Sequence, residues 1–419
     1  MPGHRRRLPA RVTWRARVAA PVFAAFSLVL AACGGGAPGT SPASASVGPP
    51  ATLTAATATP SAGGPVAVSV TLTNDGCPPV PAAVPAGAVT FTITNQGGDA
   101  VDEVELLQGS TILGEKENLA PGLSGSFSLH LQAGSYLVSC PGAGVEQTAF
   151  VVQPAAGAPA SSAPSASGSA AGAGDPFAQA ARDYAAYVRD QVDQLVTATQ
   201  AFAAKVQAGD VAGAKVLYAP ARVLYERIEP VAESFGDLDP AIDGREDDAA
   251  SPDQFTGFHR IEKALWIDGR TDGMAPVAQK LVTDVQRLQT LVAGAAYQPA
   301  QLANGAAELI DEIGASKITG EEERYSHIDL VDFQGNLDGA RQAFELLEPG
   351  LKLRDAALAA TLTQRFADVQ AALDAYRSGD GFVPYTNLSQ ADTRALAQKV
   401  DALAEPLSTV AAAIVAGGG

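Results

Sequence analysis

The chain has 419 residues, with 28 Lys and Arg against 45 Asp and Glu, a formal charge of −17. An acid excess of this size repels phosphate backbones, so nucleic acid is not an expected partner, while cations are drawn to the surface. Length alone makes two or three domains the prior expectation.

The first seventeen residues carry six arginines and no acid, and residues 18–32 (VAAPVFAAFSLVLAA) are apolar and lead into Cys33. A bilayer-spanning helix needs about 20 such residues. Residues 1–32 are therefore predicted to be a lipoprotein signal peptide, cleaved before Cys33, whose thiol takes lipid and anchors the protein to the outer face of the cytoplasmic membrane. An uncleaved anchor helix is the alternative and leads to the same compartment. Without residues 1–32 the count becomes 22 bases against 45 acids, or −23. Cys77 and Cys140 then remain, and in an exported protein such a pair is either a disulfide or two thiolate ligands.

Residues 33–64 and 154–174 are predicted to be flexible linkers, because nearly all of each is Ala, Ser, Pro, Gly and Thr without acid, base or aromatic. Between them, residues 65–153 contain short alternating or β-branched runs such as Val89-Thr90-Phe91-Thr92-Ile93-Thr94 and Ser135-Tyr136-Leu137-Val138-Ser139-Cys140. Turn residues such as Asn74-Asp75-Gly76 and Gln132-Ala133-Gly134 separate them, which predicts an all-β sandwich.

From 175 to 419 the apolar period changes to three and four residues. Helices are predicted over 177–206, 211–234, 253–267, 277–293, 302–315, 325–348, 354–377 and 390–415, with breaks at signals such as Asp268-Gly269-Arg270 and Pro349-Gly350. The second unit is an all-α bundle.

Within it, His259 and Glu262 of "GFHRIEKALW" are i, i+3 neighbours beside an apolar stripe of Phe258, Ile261 and Leu265. A buried histidine bonded to a glutamate accounts for this pair as readily as an ion site. In "YERIEP", Glu226 and Glu229 repeat the spacing, and Pro230 is expected to kink the helix. The following "DLDPAIDGREDD" is an acidic loop in which one or two acids need turn inward. "KITGEEERYSHID" adds three glutamates and a histidine, although Thr319 with Glu322 and Ser326 with Asp329 both fit capping boxes. Carboxylates with one or two imidazoles and no cysteine suit iron, manganese, calcium or magnesium better than zinc. The H-E-x-x-H pattern of a zinc peptidase is absent, since Arg260 follows His259.

The ordered motifs "YERIEPVAE", "DLDPAIDGRED", "GFHRIEKALW" and "SKITGEEERYSHIDLVDFQGN" resemble those of the imelysin-like domain in the EfeO/EfeM family of iron-uptake lipoproteins. "NDGCPPV", "VDEVELLQG", "GEKENLAPG" and "AGSYLVSC" are similar to the cupredoxin-like domain that longer members carry first. The resemblance implies a carrier that binds iron outside the cytoplasmic membrane and passes it to a permease of the oxidase-dependent type, alongside a dye-decolorising haem peroxidase. It implies metal ligands at Glu226, Glu229, Asp243, His259, Glu262 and Glu322. For the β unit it implies a second metal site at Cys77, Glu103 and Cys140, with Glu105, Glu115 and Glu117 as further candidates and copper as a second metal. The β unit's one histidine, His130, lies outside those motifs, which argues against a blue-copper centre. Two other classes stay open: a metallopeptidase, and a module binding acidic polysaccharide through a bridging cation.

Overall fold

The computed structural model describes residues 64–155, 174–249 and 251–417. The predicted signal peptide, the lipidation site Cys33 and most of both linkers lie outside the described residues. Among the described residues no helix is long and apolar enough to cross a membrane.

Alternating side chains build the first unit into two facing sheets. Its strands are β1 (Val66–Leu72), β2 (Pro79–Val80), β3 (Ala83–Pro85), β4 (Gly87–Asn95), β5 (Val104–Gln108), β6 (Thr111–Lys116), β7 (Ser124–Leu131), β8 (Gly134–Ser139) and β9 (Gln147–Gln153). One sheet has the order β2-β1-β4-β7 and the other β3-β9-β8-β5-β6. In β4, Val89, Phe91 and Ile93 occupy alternate positions and are fully buried. The Phe91 ring lies 4.9 Å from Phe127 in its own sheet and 5.3 Å from Phe150 in the other, joining the two across the core. This is the sandwich the sequence predicts.

The second unit is helical, with α1 (Pro176–Gln207), α2 (Val211–Glu226), α3 (Leu238–Ile242), α4 (Gly257–Lys263), α5 (Ala275–Val292), α6 (Pro299–Ala315), α7 (Asp329–Arg354), α8 (Ala356–Asp374), α9 (Gln390–Leu407) and α10 (Val410–Ala416). Asp175 and Asp210 cap α1 and α2 by accepting from Phe177 N and Gly213 N, leaving the apolar stripes of both helices to face the core. A two-strand hairpin, β10 (Arg377–Ser378) with β11 (Gly381–Phe382), links α8 to α9.

Several boundaries differ from the sequence reading, and the segment expected to be an acidic loop holds the short α3. The helix expected over 211–234 ends at Glu226, and Glu229–Val231 and Glu233–Phe235 form separate 3-10 turns. Pro230 opens the first turn, where its missing N–H costs nothing. Its carbonyl also packs on Gly305 of α6, where a Cβ would overlap it. The helix expected over 253–267 is the short α4 followed by a π-turn at Ala264–Asp268. Pro349-Gly350 does not interrupt α7, because Pro349 is exposed, where water can satisfy the freed carbonyl, while Gly350 packs against the Phe177 ring. The last predicted helix divides at Ser408-Thr409, two residues after Pro406.

The β sandwich is docked on the bundle through α6 and α10. Lys116 of β6 extends its ammonium to both Glu308 oxygens, at 2.8 and 3.0 Å, and to Asp311 at 2.5 Å. Glu117 N donates to Glu308 Oε1 at 3.0 Å, and Asn304 Nδ2 donates to the Ser128 carbonyl at 2.9 Å. A cleft of about 660 Å³ opens between the units, lined on one side by Glu103, Glu105, Glu115 and Glu117 and ending among Glu229, Asp243 and Glu322.

Candidate metal centre

Four short stretches converge at the inner end of this cleft. The last turn of α2 carries Glu226, and the turn after it carries Glu229. Asp243 ends α3, and α4 carries His259 and Glu262 on one face. Gly257, the first residue of α4, has φ +76°, and a Cβ there would overlap the Ile242 carbonyl. That close approach seats α4 against α3 and brings His259 to Asp243. Glu322 comes from the segment between α6 and α7.

All six expected residues therefore meet in one region. His259 Nε2 lies 3.4 Å from Asp243 Oδ1 and 3.6 Å from Glu322 Oε1, and donor atoms of these three residues fall within 4.8 Å of one another. Glu226, Glu229 and Asp243 form a second such group. His259, Glu262 and Glu323 form a third. His259 is 2% exposed, Glu322 4% and Asp243 9%.

Glu262 has little freedom left. Its Oε2 faces His259 Nδ1 at 3.1 Å, while its Oε1 accepts from the backbone N–H groups of Tyr325 and Ser326 at 2.9 and 2.6 Å. Binding Nδ1 turns Nε2 toward Asp243 and Glu322 and fixes the ring, the arrangement by which an outer carboxylate orients a metal-binding imidazole. Nε2 is buried without a hydrogen-bond partner, and Asp243 Oδ1 touches Arg222 Nη1 without hydrogen-bond alignment. Buried polar atoms left in this state are what an ion would satisfy, and the oxygen-rich donor set with one imidazole fits iron or manganese.

Charge inside the cluster is managed by two buried bases that sequence reasoning missed. Arg222 touches Glu226, Asp243, Glu322, Glu323 and Asp332, and Lys317 reaches Glu229 at 2.9 Å and Glu312 at 3.6 Å. Burial alone would raise the Glu322 carboxyl, yet Lys317, His259 and Arg222 together hold it well below the usual range. Burial and then Glu226 push Glu229 up, against Lys317. Burial pushes Asp332 up to about 8. For His259, burial and Arg222 oppose the charged form, but the bond to Glu262 and the nearby carboxylates of Glu322 and Glu323 prevail and carry it to about 10.

The capping boxes are not used. Glu322 turns to Arg222 and Arg245, α7 begins after Ile328 with no side-chain cap, and Asp329 instead accepts from Glu323 N at 3.1 Å. Glu323, also missed, pairs with Arg222 at 3.0 Å. Asn336 was missed as well; it bridges Glu226 and Glu229 from one turn beyond Asp332. The i, i+4 spacing of Arg222 with Glu226 was a signal for the arginine, whereas Lys317, isolated between helices, gave none.

The second expected metal site, at Cys77, Glu103 and Cys140, is corrected. Cys77 and Cys140 are joined as a disulfide in the sandwich core, and sulfurs bonded to each other offer no thiolate to iron or copper. Glu103, Glu105, Glu115 and Glu117 face the cleft instead. Burial and then Glu105 raise Glu103 to about 8.

Comparison with known proteins identifies the family. Residues 180–410 match the imelysin family (peptidase M75), and residues 49–152 match the cupredoxin-like domain. The chain is 43% identical over 345 residues to proteins described as "Iron uptake system component EfeO" from Escherichia coli strain K12, Shigella flexneri and Shigella sonnei. Each alignment covers 81% of this chain and 89% of the relative.

Proposed function

Because the chain belongs to the imelysin family and is an EfeO-type component of an iron uptake system, we propose that it binds one iron ion between Asp243, His259 Nε2 and Glu322. Glu226 and Glu229 supply further oxygens, and Glu262 orients the imidazole. The observation that carries this reading is the buried meeting of an unpartnered Nε2 with two carboxylates, its other nitrogen locked by Glu262. The acid-lined cleft supports an approach path, since clustered carboxylates concentrate cations. Iron is cargo here, captured outside the cytoplasmic membrane and released to a permease of the oxidase-dependent type, with a dye-decolorising haem peroxidase as the third member of the system. Lipid on Cys33 would keep the carrier at that membrane, and Cys33→Ser should release it into the medium or periplasm on fractionation.

We propose a carrier and not a peptidase. One histidine stands in the cluster, Arg260 takes the position of a general base, and Arg222 and Lys317 crowd the ligands where a substrate carbonyl would need access. Titration of the full chain with ferrous iron under argon tests the reading. Saturable uptake of one ion, lost or weakened about 10- to 100-fold in His259→Ala, is expected. Equal uptake by both proteins would remove the site assignment.

A further inference from the structure

We infer that Arg222 is a positioning residue for ion binding, whose planar guanidinium holds Asp243 and Glu322 in the arrangement that faces His259 Nε2. The inference rests on the carrier reading above, and it concerns a residue that contributes no ligand atom. Arg222 is 0% exposed and meets acids from three directions. Nη1 meets Asp243 at the end of α3. Nη2 meets Glu226 one turn on in α2, Glu322 at 3.3 Å and Asp332 of α7 at 3.2 Å. Nε reaches Glu323 at 3.0 Å. The Phe258 ring, adjacent to His259, lies 5.9 Å from the guanidinium carbon and covers one side of the group.

Five carboxylates packed this closely repel one another, since like charges at short range disfavour one another. A guanidinium spreads its charge over a rigid plane of three nitrogens and can lie against several acids at once; an ammonium is a point charge on a flexible stem and cannot serve five. Asp243 and Glu322 are shared, and in each a single oxygen, Asp243 Oδ1 and Glu322 Oε1, lies against both Arg222 and His259 Nε2. The arginine thus sets the spacing of two proposed ligands before an ion arrives, which lowers the ordering cost of binding.

Charge alone and positioning make opposite predictions. A base near the site repels the ion, so if Arg222 acted only through its charge, Arg222→Gln would bind iron more tightly and Arg222→Lys would match the wild type. If it positions the ligands, both variants bind ferrous iron about 10- to 100-fold more weakly. Asp332→Asn leaves the guanidinium and every proposed ligand in place but removes one anchor, and should weaken binding about tenfold, the low end of outer-shell effects.

The test is titration of the full chain and the three variants with ferrous iron under argon. Manganese(II) electron paramagnetic resonance on the same proteins reads the symmetry of the coordination sphere, which a merely structural role would leave unchanged. Weaker binding by Arg222→Lys with a broadened manganese spectrum is the expected result, and should Arg222→Gln fail to fold, Arg222→Lys and Asp332→Asn still carry it. Wild-type affinity and spectrum in those two, or tighter binding by Arg222→Gln, would overturn the inference. Absence of iron binding by the wild type would instead overturn the carrier reading, and this inference with it.

Discussion

Two backbone N–H groups bind one oxygen of Glu262 and His259 binds the other, so this acid has little freedom to turn. Glu262→Gln keeps the volume but removes the charge that favours Nδ1 as donor and Nε2 as ligand. Calorimetric titration should find iron affinity down about 10- to 100-fold, and an unchanged value would show that the ring does not need this partner. Protons compete with the ion at the same atoms. His259 is carried to about 10 against burial and Arg222 by its bond to Glu262 and the nearby Glu322, and Glu229 is raised by burial and Glu226. Each is protonated below its own value and must give up that proton, or its share of it, when an ion enters. Affinity therefore rises with pH and falls as pH drops from 8 toward 5, by about tenfold per unit for each proton displaced. Titrations at several pH values measure that slope, and a flat profile would contradict it.

Short elements, more than long helices, bring the ligands together. Gly257 starts α4 at φ +76° with no room for a Cβ beside the Ile242 carbonyl. Gly257→Ala should therefore cost about 3 kcal/mol, from left-handed strain and a backbone clash together. Chemical denaturation measures that loss, and iron affinity should fall with it because His259 moves. The two i, i+3 pairs, Glu226 with Glu229 and His259 with Glu262, are legible from helical spacing alone. Asp243 and Glu322 are not: one sits in an acidic loop where any of several acids might turn inward, and the other fits a capping box. Only the resemblance to relatives selects them. Arg222 escapes notice because an arginine four residues before a glutamate ordinarily marks an exposed helix face. Nothing local says that α7 will cover it with Asp332. The sandwich and bundle are legible because their apolar periods differ over long spans, whereas the break after Glu226 depends on how Gly305 of distant α6 meets Pro230.

Across the whole molecule, the two units enclose an acid-lined cleft that neither forms alone. Lys116 is the main polar tie, bonded to Glu308 and Asp311 with its side chain only 13% exposed. Lys116→Ala leaves Glu308 facing the interface without its cation and should weaken docking by about 1–3 kcal/mol. Faster amide exchange confined to β6 and the C-terminal half of α6 is the expected sign, and identical exchange would show that apolar contacts suffice. With its two thiols joined, the sandwich offers carboxylates to the cleft, and the sulfur-free cluster in the bundle is left as the place for iron. Iron K-edge X-ray absorption of the loaded full chain tests this most directly. The account predicts an oxygen and nitrogen shell with the multiple scattering of one imidazole, absent from His259→Ala; a sulfur scatterer, or the same imidazole signal in that variant, would contradict it.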